Sequence, residues 1–345
     1  MKTQTMILLA LGLAAAPLGE AAWEDGKKRL KPLTDDTKSK VLAALPAKAT
    51  AKPKKPRRIL VFYRCETFVH GSIVAGNFAM QELGRKTGAY TADLADEYSV
   101  FNEANLEKYD AILFNNTTSL ALENDDQRNA ILGFVGQGKG VAGIHAASDN
   151  FYRWKTGARM IGGQFNGHPW GGGGTWSFKL DDPKHILNQA FKGRGFWHKD
   201  EIYQYKPETY VGGDKLRVLV SLDLNTEQTM KPLNRNEGLK KQYTEGGRTV
   251  PVSWIRTFEG GRVFLHEPRP QRVHLLEPGG VAALPGRTAV CLGRLDGRRN
   301  AVIENHPRGS ARPARAVAGL AKRIKAAPTR GGRRRTPQQP AAPPR

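Results

Sequence analysis

The hydrophobic pattern of the chain changes character at residue 59. Ile59-Leu-Val-Phe-Tyr63 is an unbroken apolar run of strand length, as a strand buried on both faces requires. Ser72 stands where a helix cap is wanted. Ile73, Ala75, Phe78, Ala79 and Leu83 then share one face of a helix reaching about Gly88. Tyr90–Leu94 and Ala111–Phe114 read as short strands, and Gly140–Ile144 as another buried one. Between them, Asp125–Gln137 has helical spacing, with Ile131, Leu132 and Val135 apolar. Strands and helices joined by short connections predict an α/β fold: an open, mostly parallel sheet with helices on both faces. Further strand candidates are Trp176–Leu180, Arg217–Leu222, Val252–Phe258 and Val263–Phe264. Sites in open sheets lie at the carboxyl ends of the strands, which directs attention to Cys65–His70, Asn115–Thr118 and His145–Asn150.

The N-terminus follows another logic. Lys2 precedes an apolar run from Met6 to Leu18, and the small residues Ala21 and Ala22 come next. That is the order of a secretory signal, so residues 1–22 are expected to be a signal peptide and the protein secreted or periplasmic. The run is shorter than the roughly 20 residues of a membrane helix, and no later segment is a candidate span. Residues 23–57 are rich in Lys, Ala, Pro and Thr and end in Lys-Pro-Lys-Lys-Pro-Arg-Arg (52–58). A solvated basic linker is the simpler reading of this stretch; a nucleic-acid patch is the alternative.

The formal charge of +22 over 345 residues would by itself suggest an anionic partner. Its distribution argues otherwise. Residues 265–345 carry 15 Arg and 2 Lys against 4 acidic residues, whereas residues 1–264 carry 37 basic and 28 acidic side chains. The excess belongs mainly to the tail, so no specific nucleic-acid partner is expected. Cys65 and Cys291 are too few for a disulfide framework and lack metal-type spacing. Gly171–Gly174 have no Lys-Ser/Thr behind them, which excludes a phosphate-cradling P-loop and leaves a mobile loop at a cleft.

Several motifs recur in one order. Gly138-Lys-Gly-Val-Ala-Gly-Ile-His145-Ala-Ala is followed by Trp154 and by Ile161-Gly-Gly-Gln-Phe-Asn-Gly-His168-Pro. Phe68-Val-His70 follows the first strand, Tyr109-Asp110 opens the third, Lys199-Asp-Glu-Ile-Tyr203 follows the middle loop, and Val252–Phe264 forms a late strand pair. Together they resemble the trehalose-utilisation (ThuA-like) family over residues 58–264. The resemblance implies a class I glutamine-amidotransferase-like, flavodoxin-like fold and a role with trehalose-type or related oxidised disaccharides. In those amidotransferases the strand matching 140–144 leads into a sharp turn bearing a cysteine nucleophile. Here the turn carries His145, and an imidazole cannot form the thioester that glutamine hydrolysis needs. Cys65, after a different strand, reads as an ordinary buried thiol.

The resemblance breaks after Phe264. The family continues through a strand ending near Ser-Leu-Gly-His and a segment like Tyr-Trp-Asn-Pro. Residues 265–345 are instead dense in Arg, Pro, Gly and Ala, the bias of GC-rich codons read out of phase. Codons can be chosen for Leu265–Arg294 so that removal of one base restores both motifs. Residues 265–345 are therefore expected to be a disordered, frame-shifted tail replacing the closing strand and helix.

The candidate chemistry gathers at the sheet edge. His70, His145 and His168 come from three separate segments, and with Asp200 or Glu201 could hold a divalent metal such as zinc; alternatively these histidines hydrogen-bond loop backbones. If the protein is an enzyme, His145 and Glu201 are the catalytic candidates, imidazole suiting proton exchange near neutral pH. A small carbohydrate ligand would meet Trp170, beside the four glycines, and Asn116; Trp154 is assigned to the core. His185 reads as a helix-start residue, and a Ser148–His145 pair lacks an orienting third group. The competing functional class is a non-catalytic sugar-binding module of a secreted multi-protein system. Oligomeric state is not legible.

Overall fold

The computed structural model describes residues 18–51, 53–209, 216–245 and 249–268. In chain order its helices are α1 (Leu18–Lys27), α2 (Asp35–Ala44), α3 (Ile73–Thr87), α4 (Glu103–Leu106), α5 (Asp125–Gly136), α6 (Lys155–Ile161), α7 (Glu227–Met230) and α8 (Glu237–Thr244). The strands are β1 (Arg58–Phe62), β2 (Thr91–Ala95), β3 (Ala111–Asn115), β4 (Gly140–Ile144), β5 (Thr175–Leu180), β6 (Phe196–Lys199), β7 (Arg217–Leu222), β8 (Pro251–Phe258) and β9 (Gly261–His266). They form one sheet in the order β2-β1-β3-β4-β9-β8-β7-β5-β6.

The sheet has two halves. β2, β1, β3, β4 and β9 are parallel, the doubly wound part anticipated from the sequence. From β9 outward every pairing is antiparallel. Alternation along each central strand feeds two cores. Ile59, Val61, Leu113 and Phe264 face one side with Ala79, Leu83 and Val41. Leu60, Phe62, Ile112, Phe114 and Val263 face the other with Ile131, Phe134 and Met160. Helices thus cover both faces, as near-continuous apolar strands demand. α3 begins where expected, but the Ser72 hydroxyl donates to Asn116 Oδ1 (3.3 Å) and makes no cap bond to the helix. Gly88 ends that helix at φ +64°, a left-handed conformation suited to glycine.

Two expected boundaries are corrected. Residues 23–57 are not a solvated linker, because α1 packs beside the segment after β1 and α2 packs on α3. Trp23 is fully buried with Cys65 and Ile73, and its Nε1 donates to Asp96 Oδ2 at 3.0 Å. Val41 and Leu45 join the larger core, and Lys86 Nζ donates to the Leu42 and Leu45 carbonyls at the end of α2 (3.0 and 2.8 Å), as a cation at a helix C-terminus should. Arg57, from the basic run, is buried against Asp110 (2.7 Å). At the other end, the ordered sheet does not stop at Phe264. Leu265 and His266 pair with Gly143 and Ile144, and Leu265 and Glu267 are fully buried. Leu265 fits because position 143 is glycine: a Cβ there would lie 2.7 Å from Ala147 Cβ and 3.2 Å from Leu265 Cδ1. The expectation for residues 269–345 lies outside the described residues, as does the apolar run before Leu18. No helix among the described residues is long and apolar enough to cross a membrane.

Candidate functional site

Four strands deliver residues to one edge. β4 runs directly into a 3₁₀ turn, His145–Ser148, and His145 takes φ +48°. That region is costly for a residue with a Cβ, on the order of 1–3 kcal/mol, and persists where surrounding structure enforces it. The enforcement is visible in the packing. The imidazole is fully buried, edge-on to His70 (centroids 4.8 Å) and tilted against Tyr203 (4.6 Å).

The ring's hydrogen bonding fixes its tautomer. His145 Nδ1 lies 2.9 Å from the Glu267 carbonyl oxygen. A carbonyl can only accept, so Nδ1 carries a proton and donates it. The Glu267 carboxylate is also close, Oε1 at 3.4 Å from Nδ1, and the same oxygen accepts from the Tyr203 backbone N–H (3.1 Å). With Nδ1 engaged, Nε2 is the working nitrogen, and it faces Glu201 Oε1 at 3.7 Å. The other oxygen of Glu201 faces His168 Nδ1 at 3.6 Å. Exposure rises along this line: the side chains of Glu267 and His145 are sealed, Glu201 is 19% exposed and His168 51%. The arrangement can pass a proton between a sealed imidazole and an opening to solvent.

A short antiparallel ladder places Glu201 and His168. Ile202 N–H donates to the Trp170 carbonyl (2.8 Å), Gln204 N–H to Gly167 (2.9 Å) and Asn166 N–H to Gln204 (2.9 Å). Beside His168 a cleft of about 700 Å³ opens, lined by the glycine loop, Trp176, Gln204 and the segment from Lys231 to Leu239. The glycines differ in purpose. A Cβ on Gly174 would meet Trp176 Cζ2 at 2.0 Å, whereas Gly171 and Gly173 have nothing within 4 Å. Gly174→Ala is expected to displace the Trp176 indole and quench or shift its fluorescence, while Gly173→Ala leaves the spectrum and thermal midpoint unchanged. Equal effects of both would show that Gly174 is not holding room for the ring.

The expected site residues separate accordingly. His70, His145, His168 and Glu201 come together. Asp200 does not: Oδ1 accepts from the Glu201 N–H (2.8 Å) and Oδ2 faces His198 (3.7 Å), because neighbours at a strand end point to opposite sides. Trp170 is fully buried, its Nε1 donating to the Thr229 carbonyl (2.8 Å); it is a core residue rather than a sugar platform. Asn116 is also fully buried, donating from Nδ2 to Asn115 Oδ1 (2.7 Å) and accepting from Ser72, so it braces the strand ends and does not reach a ligand. Ser148 Oγ donates to the His145 backbone carbonyl (3.4 Å), away from a nucleophile's geometry. His185 accepts from Leu187 N–H at a helix start. Burial pushes the Cys65 thiol up to about 11, and its Sγ donates to the Asn116 carbonyl (3.2 Å), the environment of an inert thiol.

The donor set does not fit a resident zinc ion as arranged. Nδ1 of His145 is committed to a carbonyl, Asp200 faces elsewhere, and among the described residues no three His, Cys, Asp or Glu side chains are grouped to hold one ion. Glu267 is not legible as a site residue in the sequence, because the motif resemblance breaks at Phe264, three residues before it.

Comparison with solved structures finds the same fold. A ThuA-like protein from Bacteroides uniformis is 19% identical, with a TM-score of 0.50, over 70% of this chain and 93% of that one. A ThuA-like protein from Parabacteroides merdae is 17% identical, with a TM-score of 0.44, over 66% and 90%. A search of curated proteins finds no match. Among protein families, the one described as trehalose utilisation (ThuA) matches residues 58–268. That match spans more than half of the chain and ends beyond Glu267, so this protein belongs to the trehalose-utilisation family.

Proposed function

We propose that this protein converts a small carbohydrate by general acid–base chemistry, with Glu201 and His145 as the proton-handling pair. The family match associates the chain with carbohydrate metabolism. The observation that carries the finer reading is His145 itself, held at φ +48° with Nδ1 tied to a carbonyl and Nε2 turned to Glu201. A histidine needed only to brace a loop has no use for a carboxylate on its second nitrogen. Glu201, the partly exposed member, accepts a proton from the substrate. Glu201 passes that proton to the open Nε2 of His145, the protonated ring gives it back to the departing or rearranged sugar oxygen by the same route, and the Glu267 carbonyl keeps the ring from turning. His168 stands at the opening, where it can meet a sugar hydroxyl.

Export is part of the proposal and rests on the N-terminal pattern of Lys2, the apolar run and Ala21-Ala22. A mature chain beginning at Trp23 would lose Leu18–Ala22 from α1 and keep the buried tryptophan.

The test is turnover on a panel of trehalose-type disaccharides and their oxidised derivatives, with and without chelator. Turnover by the parent protein that survives chelation supports the reading. Binding without turnover of any member would favour the sugar-binding module. Activity lost to chelator and restored by zinc would place an ion among these histidines and overturn the metal-free mechanism.

A further inference from the structure

The cleft beside His168 has a charge character that a neutral sugar does not require. Its lining includes Lys231, Arg235, Asn236, Gln204 and Trp176, and no carboxylate. Some cations in this part of the chain are matched with acids: Arg217 with Asp182 (2.5 Å), Lys240 with Glu237 (3.7 Å), Lys241 with Glu245 (4.0 Å). Lys231 and Arg235 are not, and both line the cleft. Among the described residues, neither side chain makes an ion pair or hydrogen bond. They stand four residues apart across Pro232, where the Leu233 side chain is fully buried and anchors the short 3₁₀ turn that separates them. The two cations therefore border one concavity from a fixed segment.

We infer that this cleft binds a sugar bearing an anionic group, a carboxylate or a phosphate, with the anion between Lys231 and Arg235 and the reacting end at His168 and Glu201. The guanidinium of Arg235 offers the forked donors that suit either oxyanion, and Lys231 adds a point charge. Asn236 and Gln204 supply neutral polar groups for hydroxyls, and the Trp176 indole, held by its Nε1 bond to the Asp200 carbonyl (2.7 Å), supplies a flat wall for a ring face. His168 belongs to both regions, lining the cleft and facing Glu201 at 3.6 Å. That shared residue makes the cleft the approach to the acid–base pair. The inference rests on the proposed function for the position of the reacting end, and on the cleft alone for the anion.

Calorimetry on the full chain separates these. The probes are trehalose, a disaccharide ending in a glucuronate, and trehalose 6-phosphate, each at low and high salt. At least one anionic probe is expected to bind about tenfold tighter than trehalose at low salt, with the advantage shrinking as salt rises. Whichever anion binds tighter identifies the source. The double substitution Lys231→Gln, Arg235→Gln should remove the preference, while Lys240→Gln, Lys241→Gln, on the adjoining helix, should retain it. Glu201→Gln should keep the preference even where turnover is lost. Equal binding of neutral and anionic probes, or a preference that survives the Lys231/Arg235 change in a folded protein, would overturn the inference. Turnover of neutral disaccharides with no anion preference would overturn it and leave the acid–base reading standing. Anion preference without turnover would do the reverse.

Discussion

Replacing Glu201 by Gln is expected to lower turnover of a carbohydrate substrate by about 10²- to 10⁴-fold, the range over which a positioned acid or base contributes. The amide is nearly isosteric with the carboxylate, so the ladder of residues 202–205 with 166–170 should be undisturbed and binding retained. His145→Ala should cause a loss of similar size, and the double variant little more, because the two groups act as one unit and their effects do not add. Additive losses would show that the residues work separately. An active Glu201→Gln protein would remove the carboxylate from the mechanism altogether.

Trp23→Ala is the second large effect, and it is one of stability. Large-to-small changes at a fully buried tryptophan cost about 3–5 kcal/mol. Trp23 also gives up its indole bond to Asp96 and its edge-on contact with Tyr63 (6.0 Å). Denaturant unfolding of the parent and the variant measures the difference directly. If residues 23–57 were a solvated linker, the midpoint would not move. Both expectations can be tested in one chain, because Trp23 is remote in sequence from Glu201 and shares no hydrogen-bond partner with it.

The parallel half of the fold was legible because its strands are nearly continuous apolar runs. β1, β3 and β4 need partners on both faces, and only helices placed above and below provide them. The antiparallel half was less so. β6 is four residues with a broken pattern, Phe-Trp-His-Lys, and among the described residues its only strand neighbour is β5. The two N-terminal helices were hidden by composition. Lysine, alanine and proline dominate residues 23–57, yet three apolar side chains, Trp23, Val41 and Leu45, decide where the segment lies. A single buried tryptophan removes about 150–250 Å² from water, and counting residue types gives it no such weight.

The site was read in part for similar reasons. His70, His145 and His168 were placed at the right edge by the rule that loops follow the carboxyl ends of strands. Four adjacent glycines suggest openness at Trp170, but Ile202 N–H bonds to the Trp170 carbonyl and the indole is fully buried. Asp200 and Glu201 could not be distinguished by type, and only the alternation along the chain sends one to His198 and the other to His145. Glu267 is hidden because residues after Phe264 depart from the family's pattern. Its signal is local: Leu265 continues the parity of Val263, so the strand does not end there, and a carboxylate one step past a parallel strand lies at the edge where sites form.

The claim that His145 works through Nε2 toward Glu201 can be read directly from its ring nitrogens. In a ¹⁵N spectrum of the histidine-labelled protein, assigned by comparison with His145→Ala, Nδ1 should carry a proton held in a hydrogen bond to the Glu267 carbonyl. The Nε2 resonance should then shift on Glu201→Gln, with Nδ1 little changed. A neutral ring protonated on Nε2 with a bare Nδ1, or an Nε2 signal indifferent to Glu201, would contradict it.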